Sequence, residues 1–121
     1  MAKKILIVED EAELVELMKI RLAASGYEVS SANDGEDGLK KIYEEKPDLV
    51  LLDILMPKMN GLELCLKIKA DPKTKNIPVV IVSASGGSDL RGRSQMSGAN
   101  DCIYKPFESS ELLEKIRKWT S

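Results

Sequence analysis

The sequence predicts an α/β fold: an open parallel sheet covered on both faces by helices. Three observations lead there. Five short apolar runs alternate with longer stretches whose apolar residues recur at helical spacing. The third run, LVLLDIL (49–55), is apolar at six of its seven positions, as a strand buried on both faces must be. Four of the five runs, all but the second, also give way to a charged or hydroxyl residue, and in a parallel sheet those ends share one edge.

The elements follow in order. ILIV (5–8) is the first strand. Leu14, Val15, Leu17, Met18 and Leu22 then share one stripe of a helix over 13–25. Gly26 closes that helix, as glycine commonly does after a last turn. YEVSSA (27–32) is more polar and belongs nearer a sheet edge. The NDG that follows opens a helix through Leu39, Ile42 and Tyr43, stopped by Pro47.

DLVLLD (48–53) is the third strand, and Pro57 and Gly61 mark a loop before a helix over Leu62, Leu66 and Ile68. IPVVIVS (77–83) is the fourth strand, with Pro78 at its start, where a missing donor does least harm. The segment SASGGSDLRGRSQMSGAN must supply a helix, although Leu90 and Met96 are its only large apolar residues. Interior glycines cost ~1 kcal/mol each relative to alanine, so a short helix is expected there. DCIY (101–104) is the fifth strand. The last helix carries Leu112, Leu113, Ile116 and Trp119, expected to be mostly core.

Composition narrows the function. The chain has 121 residues, 43% hydrophobic and 31% charged, with a net charge of −2. That suits one domain over residues 1–121. No basic block points to direct nucleic-acid contact, and no segment is long enough to insert in a membrane. Cys65 and Cys102 form no metal pair or disulfide framework and read as buried free thiols in a reducing cytoplasm. There is no histidine. Zinc chemistry of the common kinds, a Ser-His-Asp triad and a phosphohistidine of its own are thereby excluded.

The strand ends carry the chemistry. The first runs into Glu9 and Asp10, the third into Asp53, the fourth into Ser83 and the fifth into Lys105. A parallel sheet would gather them at one edge. Clustered carboxylates repel and call for a cation, and an all-oxygen donor set suits Mg²⁺. Such a site favours phosphoryl transfer. Asp53 is the expected nucleophile, with Glu9, Asp10 and Asp53 holding the metal. The backbone carbonyl of Leu55 would add a ligand, and Ser83 would donate to a phosphoryl oxygen. Lys105 adds positive charge. Asp53 is then tolerable in an apolar run because it lies at the strand's exit beside a cation.

ILIVEDE, DLVLLDILMPKMNGLEL, IPVVIVSA and GANDCIYKPF, in that order and spacing, resemble the receiver (response regulator) domain of two-component signalling. The resemblance covers essentially the whole chain. It implies a flavodoxin-like (βα)5 fold with strand order 2-1-3-4-5. It implies that a sensor histidine kinase or a histidine phosphotransfer protein donates a phosphoryl group to Asp53, and that Lys105–Pro106 is cis. It further implies a downstream protein target, read through a surface of the fourth helix, fifth strand and last helix, with homodimerisation left open. The protein would catalyse its own Mg²⁺-dependent phosphorylation without being a turnover enzyme.

The chain departs from the family at Cys102, where an aromatic ring usually stands. A thiol cannot swing between buried and exposed states as a ring does. Two other readings compete. A phosphatase of the haloacid dehalogenase type needs a second acid two residues past its nucleophile, and Leu55 occupies that place. A receiver-shaped interaction module that needs no phosphate would not require the acids, hydroxyl and lysine together.

Overall fold

A computed structural model describes residues 2–53, 61–83, 98–105 and 107–120. The chain alternates β1 (Lys4–Val8), α1 (Ala12–Ala24), β2 (Glu28–Ala32), α2 (Gly35–Glu45), β3 (Leu49–Asp53), α3 (Gly61–Ala70), β4 (Val79–Ser83), β5 (Asp101–Tyr104) and α4 (Ser109–Thr120). The strands form one sheet in the order β2-β1-β3-β4-β5, and every neighbouring pair is parallel. This is the order that the family resemblance implies. The helix expected between β4 and β5, with Leu90 and Met96, lies outside the described residues, as do Leu55, Pro57 and the Lys105–Pro106 peptide.

Side chains alternate between the two faces of each strand. Ile5, Ile7, Leu49, Leu51, Val80, Val82 and Ile103 pack under α1 and α4 against Val15, Met18, Leu22, Leu112 and Ile116. On the other face, Leu6, Val8, Val50, Leu52, Val79 and Ile81 meet Ile42 of α2 and Leu64, Cys65 and Ile68 of α3. Three central strands therefore carry apolar residues at consecutive positions, since both faces are covered. β2 is an edge strand, which accounts for its polar composition.

Local chemistry sets the helix ends. Asp34 caps α2, its side chain accepting from the Asp37 amide at 2.9 Å. Gly26 has a φ of 93°, the left-handed turn that ends α1. Two helices differ from their sequence patterns. Leu17 and Leu66 are about half exposed, at 49% and 52%. The stripe of α1 is narrower than its apolar residues suggest, and α3 buries Leu64 and Cys65 in place of Leu66. Cys65 is buried and outside any disulfide as expected, but Cys102 is only half-buried.

The approach of α2 to β1 is close at Gly38. A Cβ there would lie 3.0 Å from both Val8 γ-carbons and 3.4 Å from a Leu64 methyl. Val8 is stiff at χ1 and wedged within the central sheet, so it has little room to yield. Overpacking of ~2 kcal/mol, offset by ~1 kcal/mol of helix propensity, should make Gly38→Ala destabilising by about 1 kcal/mol. The urea midpoint would fall with the slope unchanged; a rise would show that Val8 can move aside.

Candidate functional site

The register of the sheet assembles the site. Val8 pairs with Leu52, so Glu9, the next residue, comes abreast of Asp53 at the carboxyl edge. Asp53 in turn pairs with Val82, and Ser83 with Tyr104. Alternation then puts Glu9, Asp53 and Lys105 on one face. Glu9 continues the series Ile5 and Ile7, Asp53 continues Leu49 and Leu51, and Lys105 continues Ile103, all of them facing α1 and α4.

One carboxylate oxygen from each of Glu9, Asp10 and Asp53 lies within 4.8 Å of the others. Glu9 and Asp53 are buried, at 2% and 6% exposure, while Asp10 opens to solvent. Lys105 Nζ donates to Glu9 Oε1 at 2.9 Å and lies 3.6 Å from Glu11 Oε1. Burial pulls the Lys105 ammonium toward a lower pKa. The Glu9 hydrogen bond and the charges of Asp53, Glu9 and Glu11 outweigh it, and the net shift is upward.

Four of the five residues expected from strand ends thus meet in space. Ser83 closes β4 at the same edge, and the Leu55 carbonyl lies outside the described residues. Glu11 was not singled out from sequence. It gives Lys105 its second carboxylate, and its amide donates to Glu9 Oε2 at 3.2 Å. The signal was present in the run of three acids at 9–11, but nothing local distinguishes the third acid from an ordinary solvated helix start.

The cluster fits a divalent cation. Among the described residues three carboxylates face the single ammonium of Lys105, two of the carboxylates are buried, and every donor is an oxygen. Beside the cluster, between α1 and α4, runs an apolar groove of ≈ 240 Å³ lined by Leu14, Leu17, Met18, Phe107 and Leu112, with Glu11 and Lys105 at its rim. Ile20 on α1 is 65% exposed.

On the other face of β5 the Cys102 thiol lies 3.7 Å from the Tyr104 hydroxyl. The two side chains share a face opposite that of Lys105. No described helix is long and apolar enough to cross a membrane.

The family description "response regulator receiver domain" matches residues 5–117. The chain is 40% identical to the response regulator PleD of Caulobacter vibrioides over 99% of its own length and 26% of PleD. It is 35% identical to the phosphate regulon transcriptional regulatory protein PhoB of Rhizobium meliloti, over 97% of this chain and 52% of that protein. The chain therefore spans from about a quarter to about half of these curated relatives. Among solved structures, the response regulator receiver domain protein (CheY-like) of Methanospirillum hungatei superposes with a TM-score of 0.91 at 34% identity, covering 98% of this chain and 93% of that one.

Proposed function

Given that the chain belongs to the response regulator receiver domain family of two-component signalling, we propose that Asp53 accepts a phosphoryl group at the acidic edge. Receiver domains interact with histidine kinases or phosphotransfer proteins and with downstream targets. The donor proposed here is the phosphohistidine of such a protein. An Asp53 carboxylate oxygen attacks phosphorus, the P–N bond breaks, and the imidazole leaves with its electron pair and takes up a proton. Asp53 becomes an aspartyl phosphate.

The observation that carries this reading is the convergence of Glu9, Asp10 and Asp53 within 4.8 Å, with Lys105 held against Glu9. Glu9, Asp10 and Asp53 would hold Mg²⁺, with the Leu55 carbonyl as a further ligand. When bound, the ion neutralises charge that would otherwise repel an incoming phosphate. Lys105 is tied to Glu9 beside Asp53, where its ammonium can meet a phosphoryl oxygen once one arrives. Ser83 is proposed to donate to a second oxygen.

The groove between α1 and α4 is the proposed seat of the donor protein, because its rim residues Glu11 and Lys105 belong to the site itself. A helix presenting its histidine to Asp53 would lay apolar side chains along Leu14, Leu17 and Phe107. Phosphorylation adds roughly −1.5 to −2 charge and three acceptor oxygens, enough to bias a two-state surface toward a downstream protein.

Incubation with Mg²⁺ and phosphoramidate, followed by intact-mass measurement, tests the reading. The wild type should gain one phosphoryl mass, and Asp53→Asn should gain none. Release of free phosphate over many turnovers would indicate a hydrolase instead. No gain in either protein would indicate an interaction module that works without phosphate.

A further inference from the structure

The chain returns to the sheet at residues 98–101, at the amino end of β5 and away from the acidic edge. Alternation sends Asn100 and Asp101 to opposite faces, and each is seized by a different helix. Toward α3, Lys69 Nζ donates to Asn100 Oδ1 at 2.9 Å, to the Ile77 carbonyl at 2.8 Å and to the Lys75 carbonyl at 3.1 Å. These bonds use all three ammonium protons, and every acceptor is neutral. The same Asn100 oxygen accepts from the Val79 amide at 2.9 Å, while the Asn100 amide donates to the Val79 carbonyl at 2.8 Å.

Gly98, at a φ of 88°, lets the returning backbone lie against the lysine stem. A Cβ there would come within 3.0 Å of Lys69 Cγ. Toward α4, Asp101 accepts from Lys115 Nζ at 2.9 Å and from Trp119 Nε1 at 3.1 Å. Burial works to raise the Asp101 pKa, but the Lys115 and Trp119 bonds, with the Cys102 amide, overcome it and hold the carboxylate ionised below its usual range.

A half-buried ammonium held by neutral oxygens loses hydration, and burial lowers the Lys69 pKa, outweighing an opposing charge contribution from Cys65. A surface lysine would avoid that cost. What the arrangement supplies is geometric. We propose that Lys69 is a positioning residue. With Asn100, Asp101, Lys115 and Trp119 it forms a two-sided clamp that sets the register of β5 on β4 and so places Lys105 against Glu9. A slip of one residue would turn Lys105 to the opposite face and empty the site of its cation. The placement of Lys105 as a functional group rests on the proposed phosphoryl chemistry; the clamp itself does not.

Lys69→Met keeps the stem and removes the donors, Lys69→Arg keeps charge and donors, and Ile42→Val in α2 is a control for a general loss of stability. Native-state hydrogen exchange would compare the Cys102, Ile103 and Tyr104 amides with those of β1 and β3. The initial rate of phosphoryl gain from phosphoramidate at saturating Mg²⁺ is the second readout. In Lys69→Met, β5 exchange should rise ~ten-fold over that of β1 and β3, the scale of the one lost bond that reaches Asn100, and the rate should fall ~ten-fold.

Lys69→Arg should restore most of both, and Ile42→Val should loosen all strands alike with the rate unchanged. Uniform loosening in Lys69→Met, or none in β5, overturns the clamp. Loosened β5 with an unchanged rate overturns the positioning role. A wild type that gains no phosphoryl group would defeat the functional reading separately, and the exchange comparison would still decide the clamp.

Discussion

Lys105→Met is expected to lower the stability of the metal-free protein by about 3 kcal/mol, the scale for removing one partner of a buried ion pair. The Lys105 side chain is 16% exposed and that of Glu9 only 2%, so the Glu9 charge would be left without the ammonium and close to Asp10 and Asp53. Methionine retains the stem and its apolar contacts, which confines the loss to charge and hydrogen bonding. Urea denaturation in a chelating buffer would measure it.

The pH dependence has a definite sign. The folded Lys105 pKa lies above its unfolded value, so the pair's contribution is complete below ~10.4 and disappears as pH rises through the folded value. Wild type and variant should therefore converge in strong alkali. A loss under ~0.5 kcal/mol at neutral pH, the level of an exposed ion pair, would mean that Glu9 is served by solvent instead.

Mg²⁺ is expected to stabilise the wild type by about 2.7 kcal/mol at a concentration one hundred times its dissociation constant. The proposed ligands come from the end of β1 and the end of β3, and a coil cannot hold them together, so the ion should bind the folded state alone. Asp53→Asn should behave oppositely in the two conditions. Without metal it should be more stable than wild type, because one of three mutually repelling carboxylates is gone. With metal it should lose most of the gain. Chelator titration during thermal unfolding would follow both arms. Equal stabilisation of wild type and Asp53→Asn would place the cation elsewhere. Mg²⁺ should also narrow the deficit of Lys105→Met, since it restores positive charge beside Glu9.

Much of this architecture was legible in the order of residues. Strand and helix periods are local properties, read from neighbours two or four positions apart. They located all nine described elements to within a few residues and marked β2 as the polar edge. Parallel connection then implied that residues at the strand ends would meet, which they do at Glu9, Asp10, Asp53 and Lys105. Side-chain exposure was less legible. Leu17 and Leu66 look like core in a helical wheel, yet they are about half exposed, because the width of a buried stripe depends on how a neighbouring helix or sheet approaches.

By itself the sequence determined the alternation of apolar runs, the caps, and the chemical types available at each strand end. Hydrophobic spacing and backbone preference act over a single element and need no partner to be read. Only the tertiary structure decided that Glu11 joins Lys105, that Gly38 must remain small beneath Val8, and that Lys69 reaches from α3 to Asn100 at the start of β5. Each of these depends on the register and separation of segments far apart in the chain. Those distances are set by the packing of two whole helical layers on the sheet, and no short window of sequence contains them.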